Sequence, residues 1–148
     1  MNPIVDVLNS LLAAEQRAIT PRLFESTVFV SRASIRDERL ASRLTEANAS
    51  NGARLAGLIV ERGGTPAPRQ PDVMTADLHY LDLHFVLPRL IADHERLLNR
   101  YRDAATRLGG DRQAAELVAR ITADHEREVA DLRALLSSSG SSRAVRAS

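Results

Sequence analysis

Residues 91–128, IADHERLLNRYRDAATRLGGDRQAAELVARITADHERE, contain one five-residue phrase twice, as Ala92-Asp93-His94-Glu95-Arg96 and as Ala123-Asp124-His125-Glu126-Arg127. Around the first copy Tyr80, His84, Leu87, Ile91, His94, Leu98, Tyr101, Ala105 and Leu108 recur at steps of three and four. Around the second, Ala114, Val118, Ile121, His125, Glu128, Leu132 and Leu135 do the same. That spacing lays each set along one face of a helix, so His94, His125 and Glu128 interrupt apolar stripes. Gly109-Gly110 breaks the pattern between them, and Asp111 is a natural N-cap for the second helix. Two helices joined by so tight a turn form an antiparallel hairpin, in which residues equidistant from the turn share a height. His94 and His125 are symmetric about the midpoint of Gly109-Gly110 and should face one level.

Working outward, four stretches carry helical periodicity and none reads as a strand. The expected helices are A from Pro3 to about Arg32, B from Ile35 to Arg62, C from about Thr75 to Leu108, and D from Asp111 to Leu136. Gly63-Gly64-Thr65-Pro66-Ala67-Pro68 ends B and opens a Pro-rich connection reaching Met74. Extended at roughly 3.3 Å per residue it spans about 40 Å, close to the length of a helix of about 28 residues. A crossover along the bundle is feasible, and so is a surface detour within an up-down-up-down order. The Ser-rich tail from Ser137 to Ser148 lacks apolar periodicity and is expected to be disordered. The phrase Pro-Arg-Leu at Pro21 and again at Pro88 predicts a kink in A and another in C, a hint of an internal twofold.

The other two helices carry polar interruptions of their own. Helix A presents Leu8, Leu11, Glu15 and Ala18 on one face, and helix B presents Leu44, Asn48, Asn51 and Leu55. Reflected through a turn near Ala33, Glu15 lands near Asn51. Burying even a neutral polar group without a partner costs roughly 2 to 7 kcal/mol, so these residues should satisfy one another or a ligand at one shared site.

Composition narrows the function classes. With 148 residues and 44% hydrophobic content the chain supports one core. Basic and acidic residues nearly cancel, 20 against 19, and are interspersed, so no footprint for nucleic acid is expected. All the basic residues are Arg. The absence of Cys removes disulfides, thiolate metal sites and a cysteine nucleophile. The first residues lack a signal-peptide pattern and no apolar run is long enough to span a bilayer, which predicts a cytoplasmic protein with no membrane partner. No catalytic nucleophile, phosphate loop or substrate pocket can be named.

Leu8-Asn9-Ser10-Leu11-Leu12-Ala13-Ala14-Glu15-Gln16-Arg17-Ala18-Ile19 and Leu55-Ala56-Gly57-Leu58-Ile59-Val60-Glu61-Arg62-Gly63-Gly64-Thr65-Pro66 resemble the bacterioferritin and rubrerythrin branch of the ferritin-like superfamily. The resemblance implies an all-α four-helix bundle of two antiparallel hairpins joined by a crossover. It also implies two irons held by a Glu from each of two helices and a Glu-x-x-His pair from each of the others. Glu15 matches the first Glu, but the helix B pair falls on Asn48 and Asn51, both amides. On helix D the pair reads in reverse as His125 and Glu128, and on helix C the Glu falls on or beside His94-Glu95. A competing register sets Asp82 against Glu15.

An amide does not replace a bridging carboxylate, so an intact ferroxidase is not expected. The leading expectation is a ferritin-like bundle with an incomplete di-iron site that serves a structural or interaction role. The alternative is a single Fe, Mn or Zn ion held by Glu15, His94, His125 and Glu128. Tyr80 and Tyr101 read as core aromatics, and Glu95 and Glu126 as solvated charges. The resemblance further implies homo-oligomers formed through the outer faces of A and B, where Phe24, Val28, Phe29 and Val30 supply apolar surface.

Overall fold

The computed structural model describes residues 2–17, 35–67 and 83–147, and these form four α-helices with no strand among them. They are α1 (Pro3–Arg17), α2 (Ile35–Glu61), α3 (Leu83–Ala105) and α4 (Arg112–Ala147). The expected continuation of helix A past Arg17, with Pro21 and the patch from Phe24 to Val30, lies outside the described residues. So do Tyr80 and Asp82. Pro88 falls inside α3 and is exposed.

Local chemistry explains the helix ends. The side chain of Asn2 accepts from the Ile4 N–H at 3.0 Å and Pro3 occupies the first helical position, where its missing N–H costs nothing. At the end of α2, Gly63 takes a φ of 79°. The N–H of Gly64 then reaches the carbonyl of Ile59 at 2.9 Å and that of Gly63 the carbonyl of Val60 at 3.0 Å, the paired bonds of a Schellman ending. Asp111 caps α4 as expected, its carboxylate accepting from the Ala114 N–H at 3.1 Å.

One expectation is corrected. Helix α4 does not stop at Leu136, the expected end of helix D, since it remains helical through Ala147. A helix already nucleated extends at one hydrogen bond per residue, and Ser, Arg and Ala tolerate that geometry. The missing apolar periodicity reports only that this stretch carries no regular apolar stripe.

Packing is strongest between α3 and α4 and between α1 and α2. Two apolar clusters form the core. The larger joins Leu8, Leu11 and Leu12 to Leu55, Ile59, Leu108, Val118 and Ile121. The smaller joins Leu40 and Leu44 to Leu87, Leu90, Ile91 and Leu132. Along α2, α3 and α4 alike, polar residues interrupt the stripe between one cluster and the other: Asn48 and Asn51, His94, and His125 with Glu128.

Two further features tie α1 to the segment after α2. The Asn9 amide donates to the Thr65 carbonyl at 3.0 Å and accepts from the Ala67 N–H at 2.7 Å. A Cβ on Gly64 would lie 2.5 Å from Val5 Cγ1, so only glycine fits against α1 there. Nearby, Arg62 donates to both oxygens of Asp111 at 2.7 and 3.1 Å, a forked pair joining the end of α2 to the start of α4. The Arg62 bond and the capped Ala114 N–H hold the Asp111 carboxyl down at about 2.

Candidate metal centre

The polar residues expected to share one level do meet. Glu15, Asn51, His94 and His125 are all buried, with 3% or less of their surface exposed. His94 and His125 lie edge to face with ring centroids 5.9 Å apart, as their symmetry about Gly109-Gly110 predicts.

Glu15 is the hub on α1. One carboxylate oxygen lies 2.5 Å from His125 Nε2 and accepts from the Tyr101 hydroxyl at 2.6 Å. The Asn51 amide approaches that oxygen at 3.5 Å. Asn48 donates to the other oxygen at 2.6 Å and to the Glu15 carbonyl at 2.9 Å. The two amides that stand where the resemblance expects metal ligands therefore solvate a buried carboxylate instead.

Glu128 is the second hub. Its Oε2 lies 2.8 Å from His125 Nδ1 and 3.3 Å from His94 Nε2. His94 Nδ1 faces the Leu90 carbonyl one turn back at 3.2 Å and donates to it. Each ring thus has one nitrogen on an outer acceptor, Leu90 O for His94 and Glu15 for His125, and turns the other toward Glu128. His94, His125 and Glu128 each offer a ligand atom within 4.8 Å of the others. Glu15 meets His125 from the opposite ring nitrogen.

Electrostatics favours protonated His125 in this arrangement. Burial alone would depress it, but hydrogen bonds to Glu128 and Glu15, and their charges, outweigh that and push it up to about 10. Burial opposes ionising Glu128, yet the bonds from His125 and His94 hold it at about 2. Burial, the Glu15 charge and the bond to Glu15 push the Tyr101 hydroxyl well above its ordinary value, so it stays a donor.

Tyr101 is the participant that sequence reasoning places in the core alone. It follows His94 by two turns on the same stripe, and helical side chains lean toward the N-terminus, back toward the His94 level. A buried phenol also needs a partner for its hydroxyl, which is the available signal. Glu95 and Glu126 do face outward, pairing with Arg133 and Arg102 respectively. The side chain of His84 lies outside the described residues.

The layer can hold either a proton or a cation between its histidines and Glu128. A di-iron centre does not fit, because α2 contributes only amides at this level. No helix among the described residues is long and apolar enough to cross a membrane. Comparison with known proteins gives no assignment: no family model matches the chain, and no curated protein or solved structure matches it either.

Proposed function

We propose that this chain is a ferritin-like bundle, not an active ferroxidase, that binds a single divalent metal ion through His94, His125 and Glu128. The observation that carries this reading is the pairing of outer acceptors with inward nitrogens. Metal-ligating histidines characteristically donate their second N–H to a carbonyl or carboxylate, which fixes the tautomer and frees the other nitrogen. Leu90 O serves His94 in this way and Glu15 serves His125. Two nitrogens and one carboxylate suit Zn, Fe or Mn. Glu15, a ligand on the sequence reading, here acts through His125.

The order of contacts supports the ferritin-like topology. Val5 lies by Gly64, just past the end of α2, Leu12 by Gly52 and Glu15 by Asn48, so partner numbers fall toward α2 and along it as they rise on α1. Between α3 and α4, Glu95 meets Arg133, His94 meets Glu128 and Arg102 meets Glu126. Arg62 ends α2 beside Asp111, which comes after α3, so α2 and α3 finish at the same end and Leu83 begins at the other. That is the separation a crossover connects.

A second reading has its own observation. Both His125 nitrogens sit at hydrogen-bond distance from carboxylates, 2.5 and 2.8 Å, so a proton-bridged, metal-free layer serving a structural or interaction role satisfies every contact described. The two readings part under anaerobic reconstitution with Fe(II), Mn(II) or Zn(II), desalting and elemental mass spectrometry. The metal reading expects one equivalent retained, lost in His94→Ala/His125→Ala and weakened roughly 10- to 100-fold in Glu15→Gln. Retention should rise with pH, because the metal displaces the His125 proton. No retained metal in the wild type at any pH refutes it and leaves the proton-bridged layer.

A further inference from the structure

An open groove of about 430 Å³ runs between α2 and α4, away from the polar layer. Gly57, Leu58 and Leu117 line its middle. Arg54 and Arg120 line it too, and so do Glu61 and Glu116. Because Glu61 accepts from Gln113 at 3.3 Å, going back along α2 from Glu61 to Arg54 means going forward along α4 from Gln113 to Arg120. The two arginines therefore occupy one end of the groove, with Glu61 at the other and Glu116 just past the middle on the side of Glu61.

We propose that this groove is the face through which two copies of the chain associate, related by a twofold axis passing close to Gly57. The charges invert about that point. Gly57 stands midway between Arg54 and Glu61 on α2, and Leu117 falls between Glu116 and Arg120 on α4. A half-turn about an axis through the middle lays each arginine end on the partner's glutamate end and apolar floor on apolar floor, the self-complementarity an isologous contact requires. The in-chain pairing is lopsided in a way that fits. Glu61 and Glu116 have surface partners in Gln113 and Arg112, whereas neither Arg54 nor Arg120 has an ion-pair partner among the described residues.

Gly57 adds a separate reason. Glycine inside a helix weakens it, yet nothing lies within 4 Å of where its Cβ would be, so no neighbour in this chain demands the gap. A second backbone approaching across the groove would. Val60, one turn farther along α2, is an exposed apolar residue with 60% of its surface open. The contact involves none of the residues in the polar layer and does not depend on whether metal binds there.

Sedimentation equilibrium on the full chain tests the proposal. The monomer mass is 16.2 kDa, and the wild type is expected to reach twice that, falling back toward it as salt is added. Gly57→Leu puts a side chain into the groove from a position whose Cβ meets no neighbour within 4 Å, and should sediment as a monomer with unchanged circular dichroism. Arg54→Glu/Arg120→Glu and Glu61→Arg/Glu116→Arg should each be monomeric alone, while their equimolar mixture should recover the doubled mass. A wild type that stays at monomer mass at every concentration, as it would if the groove seats a different protein, overturns the proposal. So does a folded Gly57→Leu that keeps the wild-type mass, or a mixture that fails to associate.

Discussion

His94 and His125 stand in the same five-residue phrase on neighbouring helices, at one height, yet His125 lies between the carboxylates of Glu15 and Glu128 while His94 sets one nitrogen on Glu128 and the other on the Leu90 carbonyl. Within each phrase the other charged residues form ion pairs away from this layer: Asp93 with Arg96 and Glu95 with Arg133, Asp124 with Arg127 and Glu126 with Arg102. The difference comes from outside the repeat. Three residues after His94 stands Leu97, in the apolar core, and three after His125 stands Glu128, on the same face one turn on. Glu15 then approaches His125 from α1. Repetition sets where a histidine sits, and its neighbours decide what it does.

The largest effect should come from deleting the two rings in turn, in protein kept free of metal. His125→Ala leaves buried Glu15 and partly buried Glu128 without the cation between them, which should lower stability by about 3–5 kcal/mol. His94→Ala removes one contact to Glu128 and the bond to Leu90, for about 1–3 kcal/mol. Urea unfolding measures both, and equal losses would break the asymmetry.

Glu128→Gln sharpens the comparison by weakening the charge that separates the two copies. His125 has a folded value near 10 against 6.5 unfolded, so its contribution is complete below pH 6.5 and disappears as pH rises through about 10. Glu128 runs the other way, from 4.5 down to about 2, so its share is present above pH 4.5 and is lost as pH falls toward 2. Wild-type stability should therefore be greatest between about pH 4.5 and 6.5 as far as this layer is concerned. In Glu128→Gln the alkaline decline should become shallower in urea midpoints taken across pH. An unchanged alkaline limb would assign it to another group.

Arg102→Ala and Arg133→Ala should do least. Each removes an exposed partner of one repeat glutamate, and each should change stability by less than about 1 kcal/mol and by similar amounts. A large difference between them in thermal melts would mean that the flanking charges, and not Glu128 and Glu15, distinguish the copies.

The helices are legible in the sequence because spacing at three and four residues survives any tertiary detail. The shared height of His94 and His125 is legible because a tight turn imposes symmetry. Asn48 and Asn51 stand out as departures from a ligand pair near the level of Glu15, but which oxygen of Glu15 each one reaches is not legible, since that depends on how closely α1 and α2 approach. Which nitrogen of each histidine faces inward is invisible for the same reason: the ring's acceptor, Leu90 O or Glu15, decides it, and no spacing does. The far end of α4 escapes a sequence reading because periodicity detects a regular buried stripe and is silent about a helix without one.

Asn9 puts a side-chain amide where a neighbouring peptide group would otherwise be needed, gripping Thr65 and Ala67 by a carbonyl and an N–H two residues apart. Every atom of that grip belongs to the first 67 residues. During synthesis, which delivers the amino end first, α1, α2 and the heading of the chain at Ala67 can all be established before α3 has been made. The route to the second half of the bundle is then inherited from the first half, and α3 and α4 have only to arrive.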